Sequence, residues 1–84
     1  MIKVLFFARI REQLGCDGLE IGFRENMANL AALQASLIAA HEPRWEQVLN
    51  APNVIRAVNQ QLADLDHPLS DGDEVAFFPP VTGG

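Results

Sequence analysis

The chain has little of what most active sites are built from. Its one cysteine, Cys16, cannot form an intramolecular disulfide or a thiolate metal cage, and this fits a reducing cytosol. His41 and His67 lie far apart, and neither stands at metal-ligand spacing from another His or Cys. Six Lys and Arg stand against eleven Asp and Glu, a formal net charge of −5, so nucleic acid and anionic membrane surfaces are poor partners and a basic protein is an admissible one. No apolar run is long enough to span a membrane. Lys3 interrupts the short apolar opening, and no small-residue cleavage site follows, which argues against a signal peptide and for a cytoplasmic protein. There is no Gly-rich phosphate loop, and Ser36 and Ser70 have no triad-like company. Asp64, Asp66, Asp71 and Asp73 do not have calcium-loop spacing and read as solvated turn acids. The expectation is no metal and no bound cofactor. Repeats, linkers and low-complexity tracts are absent as well.

What is present is apolar content, 49% of 84 residues. A single domain of this size buries only about 60–65% of its unfolded surface, so it has no room for an enclosed active site, and part of its apolar surface is expected to meet a partner.

The last fourteen residues organise the chain. Asp71, Gly72 and Asp73 supply turn chemistry, and Glu74 to Phe78 reads as a strand by its apolar and aromatic content. Pro79 and Pro80 lack the N–H of a sheet ladder and fix φ, so the chain must leave the sheet in an extended course. Pro79, Pro80, Val81, Thr82, Gly83 and Gly84 then form a tail able to reach roughly 20 Å, ending in two residues without a Cβ that an enzyme's backbone can approach closely. A terminal carboxylate is a chemical handle that ATP can activate as an acyl-adenylate.

Earlier in the chain, Ile2 to Ala8 reads as a strand with Ile2, Val4 and Phe6 inward and Leu5 and Phe7 on the other face. Arg9 to Leu14 reads as a short helix capped by Gly15, and Leu19, Ile21 and Phe23 alternate as a second strand, antiparallel to the first. Asn26 is the expected N-cap of the main helix. Its stripe is Met27, Leu30, Leu33, Leu37 and Ile38, with Gln34 on another face. Pro43 opens a second helix carrying Trp45, Val48 and Leu49. Val54 to Asn59 is a third strand, Gln60 to Leu65 a turn and short edge segment, and Asp66 to Asp73 a loop. If Val75 and Phe77 face the core, Phe78 joins Phe7, and with them Leu62, in an exposed apolar patch beside the root of the tail, a natural docking surface. Arg9 and Arg11 follow the first strand, where either can pair with acids on a partner. Cys16, beside Asp17 and without a resolving cysteine, is expected to be incidental.

The ending GDEVAFFPPVTGG, from Gly72 to Gly84, resembles that of the small, sulfur-carrier subunits of molybdopterin synthase, within the wider group of ubiquitin-like proteins. The opening from Leu5 to Glu12, LFFARIRE, is similar to the same family's start, as are Val58-Asn59-Gln60 and His67-Pro68-Leu69; residues 24–53 agree in pattern only. The resemblance implies an α+β, ubiquitin-like β-grasp fold: a mixed sheet, first and last strands parallel and central, one main helix across one face. The domain would span 1–78 and the tail 79–84.

The resemblance also implies a chemistry. A partner adenylating enzyme would activate the Gly84 carboxylate with ATP, and a sulfur donor such as a cysteine desulfurase or rhodanese-like protein would convert it to a thiocarboxylate. The tail would then enter the large subunit of the synthase, with Phe7, Leu62, Phe78 and Arg11 as partner-binding residues. There sulfur passes to cyclic pyranopterin monophosphate, forming the dithiolene of molybdopterin, in a heterotetramer of two small and two large subunits. The small subunit supplies no general acid or base and is not catalytic alone. Three alternatives stay open on the residues: a sulfur carrier for thiamine-thiazole synthesis, a protein modifier joined to lysine, and an interaction module with an inert tail.

Overall fold

A computed structural model describes residues 1–80. Its elements are β1 (Ile2–Phe6), α1 (Ala8–Leu14), β2 (Gly18–Ile21), a 3-10 turn (Glu25–Met27), α2 (Leu30–Ala39), α3 (Pro43–Leu49), β3 (Ile55–Val58), β4 (Gln61–Leu62) and β5 (Glu74–Phe78). The five strands form one sheet in the order β2-β1-β5-β3-β4. β1 and β5 are parallel and adjacent at the centre, in register Lys3↔Glu74 to Phe6↔Phe77, and the remaining pairs are antiparallel.

Alternation along the two central strands sends Ile2, Val4, Phe6, Val75 and Phe77 into the core, all nearly or fully excluded from solvent. Leu30, Leu33 and Leu37 of α2 cover them, joined by Ile10 and Leu14 of α1 and by Trp45 and Leu49 of α3. Phe6 is the hub. Its ring meets Trp45 edge-on at 5.4 Å and stacks on Phe77 at 5.6 Å. A fully buried leucine contributes about 1.5–3 kcal/mol, so the three leucines of α2 make that helix the main fastener of the sheet.

Several expectations need correction. The main helix starts at Leu30, capped by Asn29, whose Oδ1 accepts from the Ala32 N–H at 2.9 Å; Asn26 lies in the preceding 3-10 turn. That turn closes through Met27 N–H to the Arg24 carbonyl, so Met27 reaches the core without belonging to the helix. Strand β1 stops at Phe6. Ala8 turns the chain with φ of 52° and opens α1, so it belongs to the helix. Phe23 lies beyond β2 and Val54 ahead of β3, although both pack against the core. The hairpin between β3 and β4 closes through Asn59 and Gln60 at φ of 51° and 69°, both positive as a two-residue type I′ turn requires.

Gln34, off the leucine stripe as its spacing implied, is nonetheless buried. It is 4% exposed, and its carbonyl accepts from Arg56 Nε at 2.7 Å while its amide donates to Asn50 Oδ1 at 2.7 Å. Arg56 also donates to the carbonyls of Leu49 at 2.8 Å and Val54 at 3.3 Å. One arginine thereby ties α2, the end of α3 and β3 together, and burial lowers its pKa.

Candidate functional site

Three elements converge at one end of the sheet. The N–H of Phe7 donates to the carbonyl of Phe77 at 3.1 Å, extending the β1 ladder one residue past the strand. The carbonyl of Phe7 then accepts from Ile10, starting α1. This bend at Ala8 leaves the Phe7 ring outside the sheet, parallel to that of Phe78, with centroids 4.8 Å apart and planes 5° from coplanar. Phe78 is the last residue of β5, Pro79 is half-buried and Pro80 exposed. The two prolines form one wall of a groove of about 1020 Å³ between α1 and α3, whose other sides include Arg9, Arg44, Val48 and Val54.

The face of the sheet opposite the helices is ordered in rows. The register aligns Leu5, Ala76, Ala57 and Leu62 across four strands, with Phe7, Phe78 and Ile55 beside them towards the tail. Phe7 is 36% and Leu62 80% exposed. The two phenylalanines touch, whereas Leu62 sits on the edge strand, on the same face but across β3 from them. Arg11 is exposed on α1, and its carbonyl accepts the capping N–H of Gly15 at 2.9 Å. Val81, Thr82, Gly83 and Gly84 lie outside the described residues.

The remaining candidates take structural roles. Cys16 is half-buried, its Sγ 3.4 Å from the Gly18 carbonyl. His41 stacks on Trp45 at 3.7 Å, and its Nδ1 lies 2.7 Å from the Leu37 carbonyl. The backbone of His67 accepts from Leu30 and donates to Asp64, fixing the loop to α2. Asp71 pairs with the N-terminal amine, and Asp73 accepts from Asn59 Nδ2 and Ser70 N–H. Among the described residues no group of three or more His, Cys, Asp or Glu side chains could hold a metal ion, and no helix is long and apolar enough to cross a membrane. The groove and the Arg56 network escaped sequence reasoning. Each joins residues from separate elements, and only the isolated arginine and glutamine within apolar stretches hinted at the second.

A mixed sheet with parallel first and last strands at its centre and its helices packed on one face is the ubiquitin-like β-grasp, and the structural comparison agrees. SAMP1 from Haloferax volcanii superposes with a TM-score of 0.83 at 26% identity, covering 99% of this chain and 98% of that one. Residues 4–84 match the ThiS family, and the chain belongs to it. The molybdopterin synthase sulfur carrier subunit of Escherichia coli strain K12 is 51% identical over 84 residues, the whole of both chains. A complex of subunits 1 and 2 of the molybdopterin-converting factor from Helicobacter pylori contains a chain 31% identical to this one, with a TM-score of 0.69, covering 99% of this chain and 97% of that one.

Proposed function

We propose that this chain is the sulfur-carrier subunit of a molybdopterin synthase and that Gly84 carries the sulfur. The observation that carries this reading is the 51% identity, without truncation on either side, to a subunit of that name. The prolines that follow directly on a central strand add physical support, because they lack the N–H that would continue its ladder.

In this reading the Gly84 carboxylate attacks ATP in a partner adenylating enzyme, forming an acyl-adenylate and releasing pyrophosphate. The outer sulfur of a donor persulfide attacks the acyl-adenylate and displaces AMP, giving an acyl disulfide; a second thiol then cleaves its S–S bond, forming a disulfide with the donor cysteine and leaving the thiocarboxylate. That group's sulfur is a far stronger nucleophile at neutral pH than a carboxylate oxygen, and it attacks the cyclic pyranopterin monophosphate inside the large subunit. The domain, residues 1–78, holds the tail, residues 79–84, at a fixed root, while the stacked Phe7 and Phe78 dock on the partner, with Leu62 across β3 on the same face and Arg11 of α1 as further contacts. The assembly is a heterotetramer working in the cytoplasm. Pairing with a second subunit is supported by the Helicobacter pylori complex of subunits 1 and 2.

Intact-protein mass spectrometry of the chain purified from its native cells tests the chemistry. A mass increase equal to one sulfur in place of one oxygen, mapped to Gly84, is the expected result. Fresh material with no such species, or with Gly84 amide-linked to lysines of other proteins, overturns it in favour of a modifier. Deleting Gly83 and Gly84 should abolish sulfur transfer with the fold intact; unchanged activity would leave only an interaction module.

A further inference from the structure

An activated acyl terminus acylates any amine it can reach. The nitrogen attacks the carbonyl carbon, a C–N bond forms, the C–O bond to AMP or C–S bond to a thiol breaks, and the amine's proton passes to water. This chain carries two amines, the Met1 α-amino group and Lys3, against five arginines. Both amines sit at the end of the sheet away from the tail. Lys3 is level with Glu74, the first residue of β5. The Met1 amine pairs with Asp71, and the Met1 carbonyl accepts from Gly72.

Chain length separates these amines from Gly84. Between Glu74 and Pro80 the extended chain advances roughly 20 Å at ~3.3 Å per residue, and the residues from Val81 to Gly84 span at most roughly 13 Å. To approach Lys3 the tail would have to double back, and a β-turn alone takes four residues. The groups near its root are of another kind. Arg9 and Arg44 line the same groove as Pro79 and Pro80, and Arg44 also pairs with Glu42 at 3.2 Å. A guanidinium stays protonated and does not act as an acyl acceptor at neutral pH, whereas a lysine ammonium readily gives up its proton to become a nucleophile.

We propose that Arg9 and Arg44 are specificity determinants of the carrier chemistry: they place positive charge at the root of the tail without an amine, so the activated Gly84 escapes capture by its own domain and is delivered to an external nucleophile. Cys16 does not weaken this protection, because a thioester formed there exchanges back with added thiol, whereas an amide is permanent. The biological purpose rests on the carrier reading, but the chemistry can be tested without it.

The test uses the full-length chain prepared with Gly84 as a C-terminal thioester, kept dilute at mildly alkaline pH with free thiol present, and followed by intact mass and peptide mapping. The wild type should lose its thioester only by hydrolysis. Arg9→Lys and Arg44→Lys should each give a monomer one water lighter than the hydrolysed acid, with the new amide at the introduced lysine. A short linker sets an effective concentration of about millimolar, so at micromolar protein amide should form about 1000-fold faster within the variants than between wild-type chains. Wild-type chain that forms an internal amide at Met1 or Lys3 as fast as the variants overturns the proposal, as do folded lysine variants as inert as the wild type. Either failure leaves the sulfur-bearing mass at Gly84 untouched as the test of the carrier reading.

Discussion

Phe77 and Phe78 are neighbours in one strand with opposite duties, and replacing each by alanine separates stability from binding. Phe77 is fully buried and stacked on Phe6, so Phe77→Ala should cost about 3–5 kcal/mol, as large-to-small changes in cores do. Phe78 is half-buried and stacked on Phe7 alone. Half of a burial worth about 1.5–3 kcal/mol plus an aromatic pair worth ~0.5–1.5 kcal/mol predicts a loss of about 1–3 kcal/mol for Phe78→Ala. A small domain with about 5–15 kcal/mol of stability survives that. Affinity for the large subunit should fall further. An aromatic hot spot contributes about 2 kcal/mol or more, equivalent to roughly 30-fold in Kd. Urea unfolding gives the first quantity and calorimetric titration of the large subunit the second. A folded Phe78→Ala chain that binds within a few-fold of wild type refutes the docking face. A stability loss equal to that of Phe77→Ala would show that the outer face is a second core.

Gln60 adopts positive φ without being glycine, so Gln60→Gly should relieve more strain than it adds backbone entropy and stabilise the domain by about 0.5 kcal/mol, read as a higher urea midpoint; a lower midpoint contradicts the turn assignment. A Cβ on Gly18 would stand 2.5 Å from the Val4 carbonyl, so Gly18→Ala should lower the thermal midpoint with a cost of about 1–3 kcal/mol, and an unchanged midpoint would mean that β2 can move aside. Gln34→Leu removes the acceptor of Arg56 Nε and should cost about 1–3 kcal/mol; adding Arg56→Met should recover part of it, and strictly additive losses would show that the two side chains are not coupled.

The central strands were legible because β1 and β5 alternate cleanly and because turn and proline signals bracket β5. The same alternation placed Phe7 and Phe78 on the open face. The start of α2 was misread because Asn26 and Asn29 are equally good caps by residue type, and Met27 lies close to the stripe of the helix. What separates them is the 3-10 turn closed by Arg24 and Met27, a backbone hydrogen bond that composition does not encode. Gln34 was placed off the apolar stripe of α2, and nothing local showed that its face would be buried. Its partners, Asn50 and Arg56, come from regions 16 and 22 residues further on, beyond the reach of any local pattern. The groove beside the prolines was invisible for the same reason.

The parallel pairing of β1 and β5 also decides how the domain bears load. A partner that grips the end of the chain pulls along the axis of β5. The hydrogen bonds to β1 on one side and β3 on the other lie across that axis. They resist together, in shear, and cannot be peeled one at a time as at the end of a hairpin. A pull on the chain beyond Phe78 is therefore met by both ladders at once, and the body behind the strand stays folded under it.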